Sequence, residues 1–175
     1  MIASSVQQIA LLGCAGLLLW AAMTDIIHFR IANRVSLAIA GLYPAYVAAS
    51  WLGGGLPADW AGSLIAGAGV FAAGLALFSF GLVGGGDVKL LSVVALWAGL
   101  GGLLPMLLVV GAAGGFLSIG LIAAKAASYV RQPASRPADL PLWRAVMQQP
   151  APYGVAIAVG GLFTLGQLAG YRFAL

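Results

Sequence analysis

Five stretches of this chain, 1–24, 35–58, 60–86, 90–124 and 145–171, run without a single Lys, Arg, Asp or Glu. Each is longer than the about 20 helical residues needed to cross a hydrocarbon core of about 30 Å. Charged residues make up 7% of the sequence and apolar ones 62%, where a soluble domain carries about a quarter charged. So few charges cannot cover a water-soluble surface, which excludes a cytosolic globular enzyme. A chain this apolar is not disordered either, because disorder requires low hydrophobicity. The class that remains is an all-α integral membrane protein, with residues 1–175 forming a single polytopic domain.

Four of the stretches supply one helix each. The fourth, 90–124, would extend about 52 Å as one helix at 1.5 Å per residue. It is expected to break at Gly99-Leu100-Gly101-Gly102 and Pro105, where glycine and proline weaken a helix. The expected spans are therefore 6–24, 36–53, 60–82, 87–100, 104–125 and 153–172, six in all.

The placement of basic residues gives an orientation. The first loop holds His28, Arg30 and Arg34, the third Lys89, and the fifth Arg131, Arg136 and Arg144, with Lys125 at its edge. The second and fourth loops hold no Lys or Arg. Cytoplasmic loops carry the excess of Lys and Arg, so loops one, three and five are expected inside and both termini outside. Arg172 alone departs from this pattern. The net charge of +4 thus serves topology and does not call for nucleic acid. The fifth loop is rich in proline, but Asp139-Leu140-Pro141-Leu142-Trp143 has the form of a helix start. A short interfacial helix is expected there, with Trp143 at headgroup level. Cys14, the single cysteine, reads as a buried residue of the first span and not as a processing site.

Four acids remain, all Asp. Asp59 and Asp139 each precede a helix and are explained as caps. Asp25 ends the first span, where the helix macrodipole disfavours an anion, although Arg30 or Arg34 offers a structural partner. Asp87 opens the fourth span behind Gly84-Gly85-Gly86, a run that permits a sharp turn or the close approach of another backbone. The basic-residue topology, which made no use of the acids, brings Asp25 and Asp87 to the same cytoplasmic face. Two close carboxyls do not both ionise cheaply, so one keeps a proton. Such a pair can take a proton from water and give one to a carbonyl oxygen. A transporter or proton relay would need the same acids, and a non-catalytic subunit of a pilus or secretion machine would not.

Gly84-x-Gly86-Asp87-Val88-Lys89 resembles the signature of GxGD-type membrane aspartic peptidases, in the form found in type IV prepilin leader peptidases. Asp25 to Asn33 is similar to that family's first motif, with Ala32 where the family has proline, and Pro152-Tyr153-Gly154-Val155-Ala156 resembles its C-terminal signature. The resemblance implies that Asp25 and Asp87 are the catalytic pair. It implies prepilin or pseudopilin substrates, whose basic leaders are cut at the cytoplasmic face of the bacterial inner membrane. The short length looks most like the peptidases of Flp-type (tight-adherence) pili. Longer relatives add a cysteine-bearing extension and N-methylate the product, and methylation is not carried over here. No metal or organic cofactor is implied.

Around the pair, Gly84 and Gly86 are expected to shape the site and admit an extended leader. Lys89 is expected to pair with Asp87 or a lipid phosphate, Asn33 to bond the loop backbone, and Tyr153 to anchor an interface. Substrate and lipid bilayer are the expected partners. The oligomeric state is not legible.

Overall fold

The computed structural model describes residues 2–54, 60–131 and 152–173. Every regular element among them is helical: α1 (Ile2–His28), α2 (Asn33–Leu52), α3 (Trp60–Ser79), α4 (Gly85–Arg131) and α5 (Tyr153–Phe173). All five are long and apolar enough to cross a membrane. Large apolar side chains such as Leu12, Leu37 and Phe116 cover the outside, with Phe116 79% exposed. A surface of this kind suits acyl chains and not water. The chain is a multi-pass membrane protein. Asp59, Asp139 and the expected interfacial helix around Trp143 lie outside the described residues.

Helix α4 is not one continuous rod. Gly99 holds φ 66° and ψ 176°, well outside helical values, in a region that is essentially glycine-only. The contacts along α5 show what this break does. Gly154, at the start of α5, packs on Ile31, which also packs on Gly86 of α4, and Gly161, two turns on, meets Val94. On another side of α5, Gly160 meets Val110 and Met106, while Gly114 lies against Ala156 and Tyr153. Residue numbers in α4 therefore rise along α5 before Gly99 and fall along it afterwards. The two limbs of α4 run in opposite directions.

The core sits where α1, α2, both limbs of α4 and α5 converge, around Leu18, Ile39, Leu90, Val94 and Met106. Trp97 ties α2 to α4: its indole N–H donates to the Ile39 carbonyl at 3.2 Å, and its ring lies 5.5 Å from Tyr43, edge-on. A buried aromatic of this kind combines a large apolar area with a satisfied donor. Small residues set the helix spacing. A Cβ at Gly74 would lie 2.7 Å from Val88, and one at Gly161 2.7 Å from Leu18. By contrast Gly111, Gly115, Gly166 and Gly170, which look in sequence like paired contact sites, face open space.

Candidate active site

Asp25 lies in the last turn of α1, whose end is fixed by an αL cap. Phe29 takes φ 50° and its N–H donates to the Asp25 carbonyl at 2.9 Å, the single 5→1 bond of that motif. The chain then turns through Ile31 and Ala32 into α2. On the other side of the site, α3 ends in a Schellman motif. Gly81, at φ 71°, donates to the Phe78 carbonyl, and Leu82 donates to that of Leu77. The left-handed residue of this turn is Gly81, and Gly84 to Gly86 do not share its positive φ.

The glycine run instead makes room. Helix α4 starts at Gly85, so Asp87 sits in its first turn, with its Oδ2 folded back over Gly84. A Cβ at Gly84 would come within 2.9 Å of that oxygen. At Gly86 a Cβ would lie 3.3 Å from the Cβ of Ile31. The first loop thus presses directly on the start of α4, as close approach of two backbones requires.

The Asp25 carboxyl is 5% exposed. Its Oδ2 accepts a hydrogen bond of 2.7 Å from the backbone N–H of Gly154. Gly154 is the second residue of α5, so Asp25 sits against the positive end of that helix. This answers the objection raised by its own helix: the unfavourable C-terminus of α1 is offset by the N-terminus of α5. A Cβ at Gly154 would lie 2.8 Å from Asp25 Oδ2 and 3.0 Å from Ile31 Cδ1. Ile31 therefore packs between Gly86 and Gly154, and Asp87 lies within coulombic reach of Asp25. The ends of α1, α4 and α5 bring the two acids into one half-buried site.

The other expected site residues fall elsewhere. Lys89 follows Asp87 by two positions, about 200° around a helix, and so projects from another face of α4. Its Nζ donates to Asn33 Oδ1 at 3.0 Å. Neither a pairing of Lys89 with Asp87 nor a bond from Asn33 to the loop backbone is what these two side chains make. The reason is that Asn33, as the first residue of α2, points across to α4. Tyr153 is 47% exposed, with its ring against Gly114. Its neighbour Gly154, not Tyr153, touches Asp25. Among the described residues no three of His, Cys, Asp and Glu gather as metal ligands would.

Two carboxyls at one site, one of them holding a backbone donor, are equipped for paired general acid and base work. The sequence matches the Type IV leader peptidase family over residues 12–119, more than half of the chain, and the chain belongs to that family. Membership indicates a peptidase. No curated protein and no solved structure matches the chain. The family match takes in Asp25 and Asp87 but stops short of Gly154, whose segment resembles the family's C-terminal signature and whose N–H the fold brings to Asp25.

Proposed function

We propose that this leader peptidase is an aspartic endopeptidase that removes the basic leader of a prepilin or pseudopilin at the cytoplasmic face of a bacterial inner membrane. The observation that carries the reading is the convergence of Asp25 and Asp87 at the joined ends of α1, α4 and α5. Asp25 has the Gly154 donor and the α5 terminus beside it, which suits it to be the carboxylate. Asp87 then carries the shared proton.

In the proposed reaction Asp25 takes a proton from a water as its oxygen bonds to the scissile carbonyl carbon. Asp87 gives its proton to the carbonyl oxygen. The tetrahedral diol collapses as the C–N bond breaks. The leaving nitrogen takes the proton from Asp25, and one diol hydroxyl returns a proton to Asp87, restoring the starting pair. Gly84 and Gly86 keep the Asp87 side open enough for an extended leader.

The proposed topology has six crossings, with both termini outside. The opposed limbs of α4 support it, because each limb then serves as a separate crossing. The proposal covers leader cleavage alone, in the manner of the short Flp-type peptidases, and does not extend to methylation of the product.

The test is cleavage of a co-expressed prepilin in membranes containing Asp25→Asn or Asp87→Asn. Each variant is expected to insert at the normal level and to leave the leader uncut, a loss of at least about 10³-fold for a group that acts in the transition state. Undiminished cleavage by either variant would overturn the assignment.

A further inference from the structure

A second feature is a groove that neither Asp25 nor Asp87 lines. Helices α2, α3 and α4 enclose its volume of about 520 Å³. We propose that it binds one anionic phospholipid, its phosphodiester held by Lys89 and Ser36 and one acyl chain lying along the apolar walls.

The groove is polar at one end only. Asn33 and Ser36 from α2 and Lys89 from α4 lie there, at the starts of their helices. Deeper in, Leu37 and Ala40 face Leu64 and Phe71 of α3 and Val93 and Leu96 of α4. From Asn33 to Ala40, or from Lys89 to Leu96, is about 10 Å of helix. That depth is about a third of a hydrocarbon core.

The polar end consists of donors with capacity to spare. An ammonium has three N–H donors, and Asn33 Oδ1 takes one of those on Lys89. Ser36 is 5% exposed, and its hydroxyl is the one buried side-chain polar atom among the described residues with no hydrogen-bond partner. Ser92, which lines the same groove, donates to the Val88 carbonyl at 2.6 Å. The N-cap of α2 is Ala32, so no side chain caps the first-turn N–H groups of that helix. No Asp or Glu lines the groove. A cation, an unpartnered hydroxyl and an uncapped helix start together call for an anionic oxygen ligand.

The apolar walls exclude a small soluble anion as the natural occupant, because it would leave them empty. A substrate helix suits the groove less well. Lys89 at the mouth would repel the basic leader of the proposed substrate, and neither acid lines the groove. A phospholipid satisfies both halves, with its phosphate at the interface and its chain along the wall.

The test is native mass spectrometry of the purified full-length protein in mild detergent, titrated with phosphatidylglycerol or with phosphatidylcholine of the same acyl chains. One phosphatidylglycerol is expected to be retained at least tenfold more strongly than phosphatidylcholine. Lys89→Gln is expected to reduce that preference to twofold or less, and Lys89→Arg to preserve it. Ala40→Trp, which fills the groove, is expected to lower retention about tenfold. Ala68→Leu serves the same purpose should Ala40→Trp not fold, as judged by its unfolding temperature. Equal retention of the two lipids, or full retention by the folded groove-filling variant, would overturn the proposal. So would displacement of the lipid by millimolar glycerol phosphate, or by an apolar helical peptide with Lys89→Gln indifferent.

Discussion

The backbone N–H of Gly154 donates to Oδ2 of Asp25 at 2.7 Å, joining the first residue of the proposed catalytic pair to a helix start late in the chain. The position tolerates no side chain, since a Cβ there would lie 2.8 Å from the accepting oxygen. Gly154→Ala is therefore expected to push the carboxyl off its donor or to tilt α5 away. A hydrogen bond to a charged group contributes about 1.5–3 kcal/mol, which corresponds to about 10- to 160-fold in rate. Leader cleavage in detergent is expected to fall by that factor through kcat, with KM little changed. A fall in KM-dependent binding alone, with kcat intact, would show that the contact serves packing only.

Gly84 and Gly86, both ahead of Asp87, differ in what they avoid, and their variants are expected to differ accordingly. Alanine at Gly84 would meet Asp87 Oδ2 itself, whereas alanine at Gly86 would press on the Cβ of Ile31 at 3.3 Å. Gly84→Ala is thus expected to reduce cleavage directly. Gly86→Ala is expected to act through the first loop and to be repaired in part by Ile31→Gly, which removes the opposing Cβ. A double-mutant cycle measures this, with a coupling of about 0.5–2 kcal/mol expected for Gly86 and Ile31 in contact. Strict additivity of the two changes would refute the contact's importance.

Much of the site was legible because its chemistry is carried by rare side chains. In a chain with four acids, the lone exceptions to a capping explanation are conspicuous, and Asp25 and Asp87 do converge. What completes the site was not legible, for a physical reason. The donor to Asp25 is a backbone N–H, which every residue but proline possesses, so the Pro152 to Ala156 segment resembles a signature without showing which of its atoms meets Asp25. Of the two partners expected for Lys89, Asp87 is not the one its ammonium meets, because residues two apart on a helix face different ways. The fold shows the same division. Helical class and a break in the long fourth stretch follow from composition and length. Which of Gly99, Gly101 and Gly102 takes the left-handed φ depends on where packing against α5 needs the chain to reverse. Ser50 likewise pairs with Gln7 across α1 and α2, a contact that no local pattern announces.

Gly99 bears the reversal of α4, and its φ of 66° with ψ of 176° is strained for any residue with a Cβ. Gly99→Ala is expected to destabilise the protein by about 1–3 kcal/mol. Gly101→Ala, at a position with nothing within 4 Å of the added Cβ, is expected to be neutral or slightly stabilising, as alanine favours a helix. Unfolding in mixed detergent micelles, followed by far-UV circular dichroism, compares the two. Equal stability of the two variants would contradict the reversal at Gly99.

Ala32 stands where the resembling motif has proline, and the conformation of the loop explains how the chain manages without it. Ala32 has φ −69° and ψ 130° as the N-cap of α2, close to the φ of about −65° that proline enforces. Its carbonyl accepts from the Val35 N–H at 2.9 Å, a bond that proline retains. Ile31, the preceding residue, lies outside any helix, so the extended conformation imposed ahead of a proline fits. Ala32→Pro is therefore expected to keep the Ile31 contact and full cleavage activity. It is also expected to stabilise the protein by about 0.4–1 kcal/mol, because it restricts the unfolded chain at a position already in the proline conformation. For a chain of this size that is a rise of about 1–4 °C in Tm. A fall in Tm or in activity would mean that the loop carries a constraint at Ala32 beyond its φ.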